Sequence, residues 1–457
     1  MLDFAKFDRI LTREGNIYFI GIGGISMSSL AMISLRRGLR VGGSDRTPSA
    51  LTEALSRAGA EVFCGHSAEN VRSYTVFVYN AAIPKDNPEY VYGEKHGAAL
   101  LSRAEYLSYL TAGFTHSVGV SGTHGKSTTT AMIARVMDGC DCDPTVLNGA
   151  VIPEYGSAYR VGKNDYLAFE ACEYKDSFLS FHPSLPVILN IELDHVDYFK
   201  DTDAIIASFR RYLAGSGGTA VINFDDANAR RAAESFSGEV FSYGITAEDA
   251  RVAVRNLTTE DGYPRFDVYA DGAFYAHVRL SVAGAHNVSN AAAALATAYA
   301  LGLPGEAAGA ALSGFTGTAR RFERVGNLRG DGAAVYSDYA HHPTEIRATV
   351  SAAKAVCKGR LFTVFQPHTY TRTKALFSDF AAAFAGCDTV LFADIYAARE
   401  TDTLGVSSAQ LAGATTNGVY AGSFDAAADY LLKHAEKNDL VLIMGAGDIE
   451  RIIPLLK

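Results

Sequence analysis

The stretch Gly122-Thr123-His124-Gly125-Lys126-Ser127-Thr128 has the composition of a polyphosphate cradle. Small residues let backbone N–H groups reach phosphate oxygens, and a helix that starts there adds the positive end of its dipole. Lys126 offers a point charge for the outer phosphates, and the Ser127 hydroxyl is a ligand type that suits Mg²⁺. The spacing is not the strict G-x-x-x-x-G-K-[ST] form, because Val120 stands five residues before Gly125. A second set is acidic: Glu170, Glu173, Asp194 and Asp197, with His195 among them. Carboxylates after strand ends, downstream of a phosphate loop, are what Mg²⁺ coordination needs, with solvated loop charges as the plain alternative. Asn287 and Asn290 lie one helical turn apart, so both can face one ligand or one can cap the helix.

Polar groups gather again near the C-terminus, in Asp338-Tyr339-Ala340-His341-His342-Pro343, in Gln366-Pro367-His368-Thr369-Tyr370-Thr371-Arg372 and in Gly445-Ala446-Gly447-Asp448. Near the N-terminus, Gly21-Ile22-Gly23-Gly24-Ile25-Ser26 is followed about 20 positions later by Asp45, a dinucleotide-type fingerprint with Ser26 at its third glycine position. That turn supports an anionic phosphate or pyrophosphate better than it supports a nicotinamide cofactor. His66 follows another strand end, and Arg103 sits in Ser102-Arg103-Ala104-Glu105 ahead of a helical pattern.

These residues need elements to hold them. The phosphate loop lies between a β-prone run at 114–120 and apolar residues at helical spacing from 131 onward. Strands predicted at 16–20, 39–41, 60–64 and 75–79 alternate with helical patterns, so Gly21 and His66 fall on the rim where open α/β sheets bind ligands. Strands at 165–170 and 186–190 deliver the acidic set to one edge. Residues 249–283 alternate apolar and polar positions around Asp-Gly turns, which predicts inserted antiparallel hairpins. Strands at 333–338, 361–365, 389–393 and 440–444 predict a final parallel sheet, and residues 1–15 read as a polar lead. The sum is an α/β protein of three domains. Residues 1–114 are Rossmann-like. Residues 115–317 form a central P-loop ATPase-like domain with a parallel sheet and inserted antiparallel strands. Residues 318–457 are Rossmann-like again.

Bulk properties narrow the class. With 457 residues the chain suits about three domains, and at 48% hydrophobic and 20% charged it is an ordinary globular composition. A net charge of -9 without basic runs argues against nucleic acid as a partner. The six cysteines form no C-x-x-C pair and read as free thiols of a reducing cytosol. No signal peptide is visible, and no apolar run reaches the roughly 18–20 residues of a membrane span, so the expected location is the cytoplasm.

Taken in order, the motifs resemble those of the Mur ligase family. They are GIGGISMSSLA (21–31), SGTHGKSTTTAMI (121–133), EACEYKDSFL (170–179), NIELDHVDYF (190–199), AHNVSNAAAA, TARRFE, YAHHPTEI and FQPHTYTRT. The resemblance implies an ATP-dependent ligase of peptidoglycan precursor synthesis that joins L-alanine to the lactyl carboxylate of UDP-N-acetylmuramate through an acyl phosphate. It implies a UDP-sugar-binding, an ATP-binding and an amino-acid-binding domain in that order. It also implies that the loop from Gly122 to Thr128, above all Lys126, holds the ATP phosphates. Ser127 and Glu170 would hold one Mg²⁺ and His195 a second, with Mn²⁺ as a substitute. Asn287 and Asn290 would contact the adenine side, Arg321 the γ-phosphate and Asp338 the ribose. Tyr339, His341, His368 and Arg372 would surround the alanine, and Gly23, Gly24, Asp45, His66 and Arg103 the UDP-sugar. Three places depart from the family pattern: Ser26 for glycine, Asn80-Ala81-Ala82-Ile83 for a serine-rich turn, and Thr369 where arginine is common. A rival within the family re-attaches a recycled tripeptide to the same sugar nucleotide. A nicotinamide-dependent oxidoreductase and a non-catalytic nucleotide-binding module are the rivals outside it.

Overall fold

The protein is described by a computed structural model covering residues 4–457, apart from 81, 164, 196, 197, 399 and 403, with side chains from Phe7 onward. The first sheet is wholly parallel. Its strands are β1 (Asn16–Ile20), β2 (Arg40–Asp45), β3 (Glu61–Cys64), β4 (Val76–Tyr79) and β5 (Ala99–Ser102), in the order β3-β2-β1-β4-β5. The order reverses beside β1, so the glycine turn that leaves β1 opens at the switch point of the sheet.

The second sheet has ten strands: β6 (His116–Ser121), β7 (Thr145–Ile152), β8 (Ser157–Arg160), β9 (Tyr166–Glu170), β10 (Leu185–Ile188), β11 (Thr219–Asn223), β12 (Glu239–Gly244), β13 (Val252–Glu260), β14 (Tyr263–Ala270) and β15 (Ala273–Arg279). Their order is β15-β14-β13-β12-β11-β10-β6-β9-β7-β8. Strand β6 lies between β9 and β10, parallel to both, so the phosphate loop emerges between the two acid-bearing strand ends. Strands β13 to β15 form the expected antiparallel insertion, whereas the antiparallel β7–β8 pair carries no clear alternation and was not anticipated.

The third sheet has β16 (Glu323–Asn327), β17 (Ala334–Asp338), β18 (Leu361–Phe365), β19 (Thr389–Ala393), β20 (Gly418–Gly422) and β21 (Leu440–Met444), in the order β16-β17-β21-β18-β19-β20. It is parallel except for β16, an antiparallel edge strand that the sequence pattern did not single out.

One expectation is corrected. The supposed polar lead is the helix Phe4–Glu14, whose buried residues Phe7 and Leu11 recur at i and i+4. Phe7 packs edge-on against Tyr109 at 4.7 Å, so a stripe too narrow to dominate the sequence pattern gains its stability from tertiary packing. The apolar core of the first domain runs without a break into the middle one, linking Leu30, Leu107 and Leu110 to Phe169, Phe178 and Phe209. The third domain keeps its own two clusters, one on each face of its sheet. Among the described residues no helix is long and apolar enough to cross a membrane.

Candidate active site

Two glycines shape the phosphate loop. Gly122 has φ +148°, and a Cβ there would lie 3.0 Å from Leu189 Cβ and 3.1 Å from the Asn190 backbone. Gly125 caps the helix Lys126–Gly139 in the left-handed region, φ +84°, and a Cβ there would lie 2.7 Å from Asn290 Oδ1. No side chain caps that helix, so its first N–H groups have no side-chain acceptor and face outward as an anion site. The loop is pinned from the side: Asn190 accepts from Thr123 N–H at 3.1 Å and, through Oδ1, from His124 N–H at 2.8 Å. Lys126 Nζ donates to Thr123 O at 3.2 Å and pairs with Glu173 at 3.1 Å. Burial opposes the Lys126 charge, but Glu173, backed by Cys172 and Glu170, outweighs it and holds the ammonium protonated.

Glu170 closes β9 opposite Val120, and its carboxylate accepts from Gly149 N–H. A Cβ at Gly149 would lie 2.7 Å from that carboxylate and would push the Glu170 side chain aside. His195 has φ +52°, its ring lies 4.5 Å from that of Tyr174, and Nε2 is 3.7 Å from Glu173 and 3.9 Å from Asp194. Burial pushes its pKa down and so favours the neutral ring, which has a lone pair to offer. The donors fit a hard cation: the Ser127 hydroxyl and the Glu170 carboxylate are oxygen ligands, and Mg²⁺ keeps several waters beside one or two such groups. Asp197 lies outside the described residues.

The third domain reaches the loop through four segments. Arg320 and Phe322 both take positive φ, +57° and +49°, on either side of Arg321. Phe322 N–H donates to Asp338 Oδ2 and Ala340 N–H to Oδ1, both at 2.7 Å, and Arg321 stands 4.9 Å over the Tyr339 ring. Burial raises Asp338 to about 6 against the pull of Arg321 and the two N–H donors. A cavity of about 460 Å³ lies between the domains, lined among others by Gly125, Thr128, Asn287, Asn290, Arg321 and Asp338. The two asparagines line the cavity and are also tied to one another. Asn290 Nδ2 donates to Asn287 Oδ1 at 3.1 Å, and Asn290 Oδ1 accepts from Thr129 of the loop helix at 3.1 Å.

Tyr339, His341, His368 and Arg372 gather at one rim of the third sheet. The His341 ring lies 5.3 Å from Tyr339 and 6.1 Å from His368, and Arg372 Nη1 is 3.5 Å from His368 Nδ1. Arg372 Nη2 donates to Asp194 Oδ1 of the middle domain at 3.0 Å. Burial lowers His341 to about 4, so it is neutral at physiological pH although Glu345 stands beside it. Thr369 takes φ +67° at the start of the helix Tyr370–Ala375, with its N–H donated to Tyr396 O at 2.9 Å.

In the first domain, Gly23 N–H donates to Asp45 Oδ2 at 2.8 Å, and a Cβ there would lie at the same 2.8 Å and disturb that bond. Gly24 caps the helix Ile25–Arg36 without a side-chain bond. Arg103 donates to Ser26 Oγ at 3.1 Å, so the residue that departs from the family pattern holds an arginine of the same rim. Burial pushes the Arg103 pKa down from its ordinary value. His66 Nδ1 lies 3.0 Å from the fully buried Glu89, which also accepts from Tyr18 and Asn70 at 2.9 Å. That network gives His66 a structural partner. Asn80 Oδ1 accepts from Ala82 N–H at 2.7 Å, and Ala81 lies outside the described residues.

Sequence reasoning passed over a set at the centre of this junction. His124, Glu192 and His342 each bring one metal-ligand-type atom within 4.8 Å of the others. His124 Nε2 is 2.8 Å from Glu192, Nδ1 is 3.3 Å from Glu345, and Glu192 accepts from Thr344 Oγ1 at 2.8 Å. Burial works against charge on His124, but the two carboxylates raise its pKa to about 9, so the ring is protonated at neutral pH. The one available signal was Glu345 three residues after His342, which reads as a helix capping box and is one.

Comparison with known proteins covers all three domains. The family model described as the Mur ligase family, catalytic domain, matches residues 16–115, the Mur ligase middle domain matches 120–298, and the Mur ligase, glutamate ligase domain, matches 320–447. The UDP-N-acetylmuramate–L-alanine ligase of Caldanaerobacter subterraneus subsp. tengcongensis is 44% identical over 457 residues, covering 99% of this chain and 97% of its own. That of Clostridium acetobutylicum is 43% identical over 443 residues, covering 95% and 96%. The crystal structure of the UDP-N-acetylmuramate–alanine ligase of Thermotoga maritima superposes with a TM-score of 0.80 at 26% identity, covering 96% of this chain and 97% of that one.

Proposed function

The chain belongs to the Mur ligase family, a family of ATP-dependent ligases, and we infer that it joins L-alanine to UDP-N-acetylmuramate, the first amino-acid addition of peptidoglycan precursor synthesis. The observation that carries the site assignment is the cavity between the phosphate loop and the third domain, where Gly125 and Thr128 face Arg321 and Asp338.

A carboxylate is a poor electrophile toward an amine, so it must first be activated. In our reading the lactyl carboxylate oxygen attacks the γ-phosphorus of ATP, ADP leaves, and an acyl phosphate remains. The alanine nitrogen then attacks the acyl carbon, phosphate leaves, and the amine gives up a proton. Two anions meet in the first step. Lys126 and the uncapped N–H groups of its helix hold the phosphates from one side, and Arg321 approaches from the other. Mg²⁺, held by Ser127 and Glu170 with a second ion at His195 and Mn²⁺ as a substitute, would neutralise phosphate charge. Asn287 and Asn290 flank the base and Asp338 the ribose. Arg372 exchanges Asp194 for the alanine carboxylate, and neutral His341, with Tyr339 and His368 beside it, orients the amine as an acceptor. Gly23, Gly24, Asp45 and Arg103 hold the UDP-sugar, with His66 behind them. Closure of the third domain on the loop keeps water from the acyl phosphate. The reaction draws on ATP, which puts it in the cytoplasm under this reading.

The test is phosphate release from ATP with UDP-N-acetylmuramate, offered alanine, other amino acids or the tripeptide. Alanine-dependent release is expected, and tripeptide-dependent release alone would assign the recycling reaction instead. Lys126→Ala should cut turnover by about 10³-fold or more. It also strands Glu173, which is fully buried, so Lys126→Ala should lose stability on the order of 3 kcal/mol. The double change Lys126→Ala with Glu173→Gln should regain the stability without the activity, and turnover restored in the double variant would remove Lys126 from the mechanism.

A further inference from the structure

His124 belongs to the phosphate loop by sequence and lines the interdomain cavity beside Gly125 and Thr128, yet its ring is already held by protein groups. Its two ring nitrogens are spent on two carboxylates from different domains, Glu192 at 2.8 Å and Glu345 at 3.3 Å. Glu345 is spent in turn. Its second oxygen accepts from the backbone N–H of His341 at 3.0 Å and of His342 at 3.2 Å, and faces His341 Nδ1 at 3.2 Å. An unbroken chain of contacts therefore leads from the loop, through one imidazole and one carboxylate, to the histidine placed beside the incoming amino acid. Glu192 closes the same junction a second time through Thr344, one residue before Glu345.

We propose that His124 is a positioning residue: a strut between Glu192 and Glu345 that docks the third domain on the phosphate loop and, through Glu345, fixes His341. The proposal rests on the ligase reading only for the role of His341. The strut itself is a statement about two domains.

The physics is a charge count. Without the imidazolium, Glu192 and Glu345 face each other across the junction and repel. The charged groups around the strut are Glu192 from the middle domain and Glu345 from the third, with Arg321 facing Glu345. The titratable rings of His342, His286 and His341 stand beside them, each with its pKa pushed down by burial and so favoured in the neutral form. Burial disfavours the His124 proton, but the carboxylates win and raise its pKa to about 9. A raised value for a base means that the contribution is complete below the unfolded value near 6.5 and is lost as pH rises through about 9. The docking is thus complete below about 6.5, is still largely present in neutral solution and fails on the alkaline side.

The experiment compares wild type, His124→Gln, Glu345→Gln and the double variant in the full chain, by steady-state kinetics against pH and by small-angle scattering without ligands. Each single variant should raise KM for alanine by about tenfold, with a smaller change in KM for ATP. The double variant should be little worse than either single, because both cut the same strut. Wild type should show an alkaline limb near 9, and His124→Gln should lack it. In scattering, wild type should expand as pH rises through about 9, and His124→Gln should already be expanded at neutral pH. The milder Glu345→Gln keeps an acceptor for the two N–H groups and so tests the strut even where His124→Gln folds poorly. A His124→Gln enzyme with the wild-type alkaline limb and alanine KM overturns the proposal, as do losses that multiply in the double variant. If wild type shows no alanine-dependent phosphate release, the ligase reading fails, and the scattering comparison still decides the strut.

Discussion

The two domain junctions of this chain are built from different materials. Between the first and middle domains, the helices Ile25–Arg36 and Arg103–Ala112 pack on β7, β8 and the turn Tyr174–Ser180, within one continuous apolar cluster. Between the middle and third domains the described residues share no apolar cluster, and the directional ties are polar and charged: His124 with Glu345, Glu192 with Thr344, Asp194 with Arg372, and Ala319 N–H donating to Val151 O at 2.9 Å. Apolar burial is non-directional, scales with area and is lost when the surfaces part. Ion pairs and hydrogen bonds are directional, and water replaces most of their energy when they open. The first junction is therefore a weld and the second a clasp. A ligase that must admit three substrates and then exclude water needs one of each.

The comparison is tested hardest at Arg372. Its guanidinium and the Asp194 carboxylate are both nearly buried, and after burial, which opposes it, Arg372 is the main force holding Asp194 well below the usual carboxylate range. Arg372→Ala should lower turnover by about a hundredfold or more, with alanine KM raised, because the clasp and the carboxylate partner go together. The melting temperature should move little, since opening the junction lets water reach Asp194. A large melting shift with normal turnover would make this junction a second weld.

The opposite pattern is expected at the weld. Leu107 on the helix Arg103–Ala112 is only 4% exposed and belongs to the shared cluster. Leu107→Ala should cost about 2–3 kcal/mol in denaturant unfolding through lost burial and an unfilled cavity. Turnover well below the melting temperature should stay within about threefold of wild type. Equal stability and a collapse of turnover would show that this surface moves during the reaction.

Much of this organisation was legible in the sequence, and the failures share a cause. Most of the strands and the two glycine turns declared themselves through local rules: Gly125 needs a left-handed conformation, and Gly23 and Gly122 sit where other groups approach closely. The domain order followed from strand–helix alternation. The clasp was not legible, because each of its members has an adequate local explanation. Glu345 completes a capping box with His342, His124 belongs to the phosphate loop, and Glu192 stands only within the motif NIELDHVDYF. Only the meeting of residues about 150–220 positions apart gives them a joint role, and no periodicity records that. The helix Phe4–Glu14 escaped for a similar reason, since its stripe acquires meaning only against Tyr109.

The smallest effect expected at the clasp concerns acid. Burial lowers His286, on the cavity wall, and His341 to about 4 each, while it raises Asp338 to about 6. For a base with a depressed value, stability is complete above the unfolded value near 6.5 and is lost as pH falls toward about 4. For Asp338, raised above its unfolded 3.8, the sign is reversed: the cost of its buried charge is relieved as pH falls through about 6. The two histidines and the one carboxylate therefore offset each other in part. Both histidines are only partly screened from water, so each contributes on the order of 1 kcal/mol and the net acid loss should be of similar size. Denaturant unfolding of wild type and of Asp338→Asn between pH about 7 and about 5 checks this, the window running from above all three shifts into their upper part. The variant should lose more stability on acidification than wild type does, because only the histidine terms remain. An identical acid loss in both proteins would mean that Asp338 is already ionised freely and that the clasp is wetter than its geometry implies.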